Sequence, residues 1–135
     1  MRGWIVAVAA LPLLAGCASW TVPSCPAGLR PMTEADLYFG RNIGTTPGVG
    51  EDDWRRFVDQ EITPRFFDGI TVEDAKGQWK GTDGTIVHEA SKHLIVILSG
   101  APSEADKLAA IRTAYKQRFR QDAVLLLETQ SCGSF

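Results

Sequence analysis

The chain lacks any excess of positive charge: 14 lysines and arginines stand against 16 aspartates and glutamates, a formal balance of -2. Nucleic-acid binding needs a clustered basic face, so no nucleic acid is expected as a partner. Arg55, Arg56, Lys92, Lys107, Arg112, Lys116, Arg118 and Arg120 are instead interleaved with acids or spread along helix faces. No apolar run reaches the roughly 20 residues that a helix needs to cross a hydrocarbon core. Ser91 and Ser99 have no elbow motif around them, so nothing points to a nucleophilic serine. The two histidines, His88 and His93, are five residues apart rather than four, and an odd separation in a regular strand sends them to opposite faces. They read as solvated side chains flanking an edge, not as a zinc pair. Glu73 and Asp74 are adjacent on a strand, so their carboxylates diverge and do not form an acid/base couple. The glycines between Gly40 and Gly50 precede Glu51, Asp52 and Asp53, which would repel a phosphate from the positive end of the next helix. That segment reads as a flexible loop. No catalytic residue, cofactor or metal is expected.

What is present begins with the leader. Arg2 precedes an apolar run from Trp4 to Leu14 broken by Pro12, too short to remain as an anchor helix, and Leu14-Ala15-Gly16-Cys17 closes it. This tetrad resembles the lipobox of bacterial lipoproteins. The resemblance implies cleavage before Cys17, a lipid on its thiol, and attachment to a membrane through that lipid. Ala18 stands where an aspartate would imply retention at the inner membrane, so the implied address is the outer membrane, facing the periplasm. The expected organisation is a signal peptide over residues 1–16, a lipidated cysteine and tether over 17–35, and one small domain over 36–135. Lipidation would leave Cys25 and Cys132 as an even pair in an oxidising compartment, and a disulfide between them is expected; the alternative is two free thiols.

Within the domain, Leu37 to Arg41 reads as a short aromatic strand. Trp54, Phe57, Val58 and Ile62 share the period of a helix running from Glu51 to Ile62, which Pro64 ends. Gly69 to Trp79 reads as a strand with an irregularity at Gly77, and Asp83-Gly84 as the turn into a strand from Thr85 to Leu98. Ser103 to Asp106 has the form of a capping box before a helix through Leu108, Ile111, Tyr115 and Phe119. A last strand runs from Ala123 to Gln130. The order β-α-β-β-α-β predicts a ferredoxin-like α+β fold, with a four-stranded antiparallel sheet and two helices on one face. Leu94 to Leu98 is apolar on both sides, as in a central strand covered twice. A second copy of the chain, the tether carrying Cys25, or a ligand would supply the second cover; a sheet-to-sheet homodimer is the favoured one.

Leu37-Tyr38-Phe39-Gly40-Arg41, the run from Ile62 to Val72, Gly77-Gln78-Trp79 and Cys132-Gly133-Ser134-Phe135 together resemble the domain of unknown function 3574 family, a group of small exported bacterial proteins. The resemblance spans about Cys25 to Phe135 and implies membership without implying an activity. Phe67 stands where the family pattern has proline and Gly133 where it has valine, departures expected to loosen that turn and weaken the last strand. Tyr38, Arg41, Trp79, His88 and Glu89 collect near predicted strand ends. A ligand pocket, if the fold makes one, is expected there, with Arg41 and Glu89 orienting a polar group; the competing reading has Tyr38 and Trp79 as core or interface aromatics and Arg41 paired with an acid. Three functions follow in order: a non-enzymatic envelope lipoprotein that binds a protein partner of unspecified identity or itself, a cofactor-free enzyme or small-molecule binder of the dimeric α/β-barrel type, and a metal protein.

Overall fold

A computed structural model describes residues 24–81 and 83–135; Cys17 and the leader lie outside them. The elements in chain order are β1 (Arg30–Gly40), β2 (Asn42–Ile43), β3 (Thr46–Pro47), α1 (Glu51–Phe57), β4 (Thr71–Lys80), β5 (Ile86–Leu98), α2 (Glu104–Phe119) and β6 (Leu125–Gly133). Four strands form one antiparallel sheet in the order β4-β5-β1-β6, while β2 and β3 make a separate small hairpin. With α1 between β1 and β4 and α2 between β5 and β6, this is the ferredoxin-like arrangement expected from the sequence.

Period-2 alternation puts Ala35, Leu37 and Phe39 of β1 and Leu94 and Val96 of β5 on the covered face. The helical period brings Trp54, Phe57, Leu108, Ile111, Tyr115 and Phe119 down onto them. Phe39, Phe57 and Tyr115 meet edge-to-face, with centroid separations of 4.7 to 6.1 Å. The Tyr115 hydroxyl donates to the Gly40 carbonyl at 2.9 Å. Burial pushes that phenol well above the ordinary tyrosine value, so it stays a protonated donor. Among the described residues no helix is long and apolar enough to cross a membrane.

Several local expectations need correction. β1 begins at Arg30, seven residues before the expected Leu37 and six before the expected start of the domain at Asp36, because Arg30 to Asp36 pair with β6 and Thr33 to Asp36 also with β5. The helix at Glu51 turns wider over Val58–Ile62, where it is a π-turn. Gly77 causes no irregularity: it lies opposite Glu89 in an unbroken register. The loop after β1 is the small β2–β3 hairpin, closed by Gly48 and Val49 N–H groups donating to the Arg41 carbonyl. The capping box at Ser103 does not form, since Ser103 has helical backbone angles and makes no side-chain cap bond. Glu104 replaces it, folding back to accept the N–H groups of Ser99, Gly100 and Ala101 and the Ser99 hydroxyl. Burial would raise the Glu104 carboxyl, but these donors outweigh it and hold the group below its ordinary value of 4.5.

The last strand starts after buried Val124 and continues to Gly133. Gly133 does not end it early: a Cβ there would come within 2.8 Å of the Met32 sulfur, so glycine lets Met32 lie against the strand. Cys25 and Cys132 are joined, with Cα atoms 5.6 Å apart, across 107 residues of sequence. The bridge fastens the segment before β1 to the end of the sheet.

Candidate functional site

Nothing in the described chain covers the second face of the sheet, so β5 is central but not covered twice. Ile97, Leu125 and Leu127 are exposed there at 39%, 53% and 49%. The same alternation places Glu34, Asp36 and Tyr38 of β1, Glu73 of β4, and Glu89 and His93 of β5 on this open face. Lys76, Lys80 and Lys92 fall on the opposite parity. Among the described strand residues the open face therefore carries carboxylates with one fixed positive charge beside them, Arg30 at the far end of β1.

At its centre, His93 Nε2 lies 2.7 Å from Asp36 Oδ1 and Nδ1 lies 3.3 Å from Glu73 Oε2. Tyr38 stacks flat on the imidazole, with centroids 4.4 Å apart and planes 4° from parallel. His93 and Asp36 side chains are only 15% and 14% exposed, whereas Glu73 is 60% exposed. His93 is thus not the solvated edge histidine expected from sequence; its neighbours on β1 and β4 enclose it. The two carboxylates sit on opposite sides of the ring and cannot converge on one ion. Among the described residues no cluster of three His, Cys, Asp or Glu could hold a metal. His88 is exposed and on the other face, as the odd spacing requires.

A second polar cluster lies on the covered side, at the start of α1. Lys92, its side chain 7% exposed, donates to Asp74 at 2.5 Å and to Glu51 at 2.9 Å. Burial alone would lower the Lys92 ammonium, but the hydrogen bonds it donates to Asp74 and Glu51 prevail and raise it. The same contacts hold Glu51 and Asp74 below the ordinary carboxylate range. Glu73 and Asp74 diverge as expected, one to each face.

The sequence-derived pocket residues do not come together as a group. Arg41, His88 and Glu89 line a recess of about 290 Å³ with Asn42 and Val49. Tyr38 and Trp79 are not part of it. Arg41 turns from Glu89 to the Val49 carbonyl and to Glu51, both within hydrogen-bond distance. Glu89 accepts the Asn42 N–H at 3.3 Å and lies over Gly40, where a Cβ would come within 2.6 Å of its carboxylate. Trp79, 43% exposed, sits near the tip of the β4–β5 hairpin. Asp36, Glu73 and His93 carry no shared local signal: Glu73 stands next to Asp74 and His93 next to Lys92, and only the strand register brings the three together.

The architecture defines a ferredoxin-like α+β protein with one unpartnered sheet face. Over residues 34–135 the chain matches the family described as protein of unknown function (DUF3574), and it belongs to that family. No curated protein sequence matches it. Among solved structures it is similar to a phage SAM lyase in complex with S-methyl-5′-thioadenosine, with TM-score 0.61 and 18% identity over 77% of this chain and 90% of that one. The apo state of a phage SAM lyase is similar too, with TM-score 0.58 and 21% identity over 78% and 89% of the two chains. At these identities the likeness is one of fold.

Proposed function

We propose that the chain is an envelope lipoprotein, anchored through a lipid on Cys17 at the periplasmic side of the outer membrane, whose domain binds a protein partner through the open sheet face and catalyses no reaction. The observation that carries this reading is the composition of that face. Exposed apolar side chains of this density are unusual on a surface that faces only water, and Glu34, Asp36, Glu73 and Glu89 lie among them with few cations. Two copies packed face to face would bring these carboxylates together. A partner with an apolar centre and basic rim fits better than a second copy.

A photocrosslinking residue in place of Leu127, compared with one at exposed Ala109 on α2, tests the reading in intact cells. The expected result is an adduct with a different protein at Leu127 alone, weakened by Glu34→Gln with Glu73→Gln. An adduct of twice the chain's mass would install the second copy instead, and no adduct would remove the binding face. Mass measurement of the mature protein tests the anchor, which requires a diacylated Cys17 as first residue.

A second reading has one observation in its favour: the flat Tyr38–His93 stack, bracketed by Asp36 and Glu73, could receive a planar, cationic small molecule. The similar phage enzyme was solved with S-methyl-5′-thioadenosine. Calorimetric titration with that compound and with SAM separates the readings; saturable heat that vanishes in Tyr38→Ala would favour the small ligand.

A further inference from the structure

The two ends of the sheet differ. At one end is the β4–β5 hairpin tip; at the other, β5 runs past the start of β4, because pairing with β4 stops at Ile95 while pairing with β1 continues to Leu98. There a cleft of about 800 Å³ opens between the end of β5, the loop before β4 and the last residues of the chain. Phe67 and Phe135 stand out from its walls, 76% and 96% exposed, beside Ile97, with Leu29 at 40% on the adjoining turn. Arg30 lies over the Phe135 ring at 5.8 Å and Lys107 over that of Phe66 at 5.6 Å.

From these positions we infer that this end of the domain rests on the lipid surface, with Phe67 and Phe135 in the interfacial layer and Arg30 and Lys107 reaching lipid phosphates. The inference rests on the lipoprotein reading above. Seven peptide units separate Cys17 from Ser24, a reach of at most about 25 Å. The Cys25–Cys132 bridge holds the start of the described chain beside Pro31, the residue paired with Cys132, at the cleft end of the sheet. β5 alone, with 13 residues, is about 40 Å long. A lipid on Cys17 therefore cannot lie under the hairpin tip without crossing more distance than its segment spans. The end nearest the anchor is also the end with exposed phenylalanines next to Arg30 and Lys107, the pairing that suits a membrane interface.

The test uses the mature protein purified with its N-terminal segment and reconstituted in phosphatidylethanolamine–phosphatidylglycerol vesicles whose acyl chains are brominated. Trp20→Phe supplies the background, in which Trp54 is buried and Trp79 reports the far end. In that background Phe67→Trp is expected to add emission that brominated chains quench, while the parent's emission is unchanged from that in unbrominated vesicles. Phe67 is so exposed that tryptophan there leaves the fold intact, and circular dichroism checks it. An acylated Cys17 by mass with no quenching at Phe67→Trp overturns the docking alone. Quenching of Trp79 in the parent reverses the proposed orientation. A chain without acyl groups overturns the lipoprotein reading and the docking with it.

Discussion

The two faces of one sheet, built from the same four strands, treat charge in opposite ways. On the covered side Lys92 is drawn in and neutralised by Glu51 and Asp74, so the aromatic core beside it meets no unpaired ion. On the open side Asp36 and His93 pair, while Glu34 and Glu73 remain toward solvent among exposed leucines and isoleucine. The adjacent acids Glu73 and Asp74 divide between these environments by direction alone. The covered face is finished within the chain, whereas the open face leaves Ile97, Leu125, Leu127 and the Glu73 carboxylate toward solvent.

The bridge that joins the ends of the sheet carries the largest expected effect. Replacing both Cys25 and Cys132 by serine releases a loop spanning 107 residues, and in the chain-entropy view costs about 4 to 5 kcal/mol in urea unfolding. Phe57→Ala, in the covered core, is expected to cost about 3 to 5 kcal/mol by the same measurement. Glu104→Gln removes a charged acceptor of loop N–H groups and should cost about 2 kcal/mol at pH 7. Because the folded Glu104 carboxyl lies below its unfolded value, its contribution is complete above about pH 5 and is lost as the pH falls through the folded value. The difference between Glu104→Gln and the parent should therefore shrink on acidification, and a pH-independent difference would assign the effect to shape. Tyr115→Phe leaves the Gly40 carbonyl without its hydroxyl partner and should cost about 1 kcal/mol.

On the open face, Leu127→Ala should change stability by less than about 0.5 kcal/mol, against the large cost at Phe57. If the purified chain loses comparable stability at both positions, the open face is already covered in solution and the contrast between the faces collapses.

Periodicity made much of this legible in the residues. The helical spacing of Leu108, Ile111, Tyr115 and Phe119 located α2 and its buried stripe, and the doubly apolar run from Leu94 to Leu98 located a central strand. Element ends were less legible. Pro31 and Thr33 have no strand signature, yet pairing with β6, and for Thr33 with β5 as well, draws them into β1; Ser103 looks like a cap, but the Glu104 carboxylate is better placed to take the loop N–H groups. The site was least legible. Asp36, Glu73 and His93 lie on three different strands, and their meeting depends on Asp36 falling opposite Ile95 and Glu73 opposite His93. A shift of one residue in either pairing would send one of them to the other face.

Local pattern was enough to settle the four strands of the main sheet and the two α-helices, their order, the divergence of Glu73 from Asp74 and of His88 from His93, and the even cysteine pair, because each depends on repeats of two or 3.6 residues or on counting. Cross-strand register, the choice of Glu104 over Ser103 and the meeting of Tyr38 with His93 came from elsewhere. They depend on the alignment of segments distant in sequence, which is set by how the whole core packs and by no stretch of chain alone.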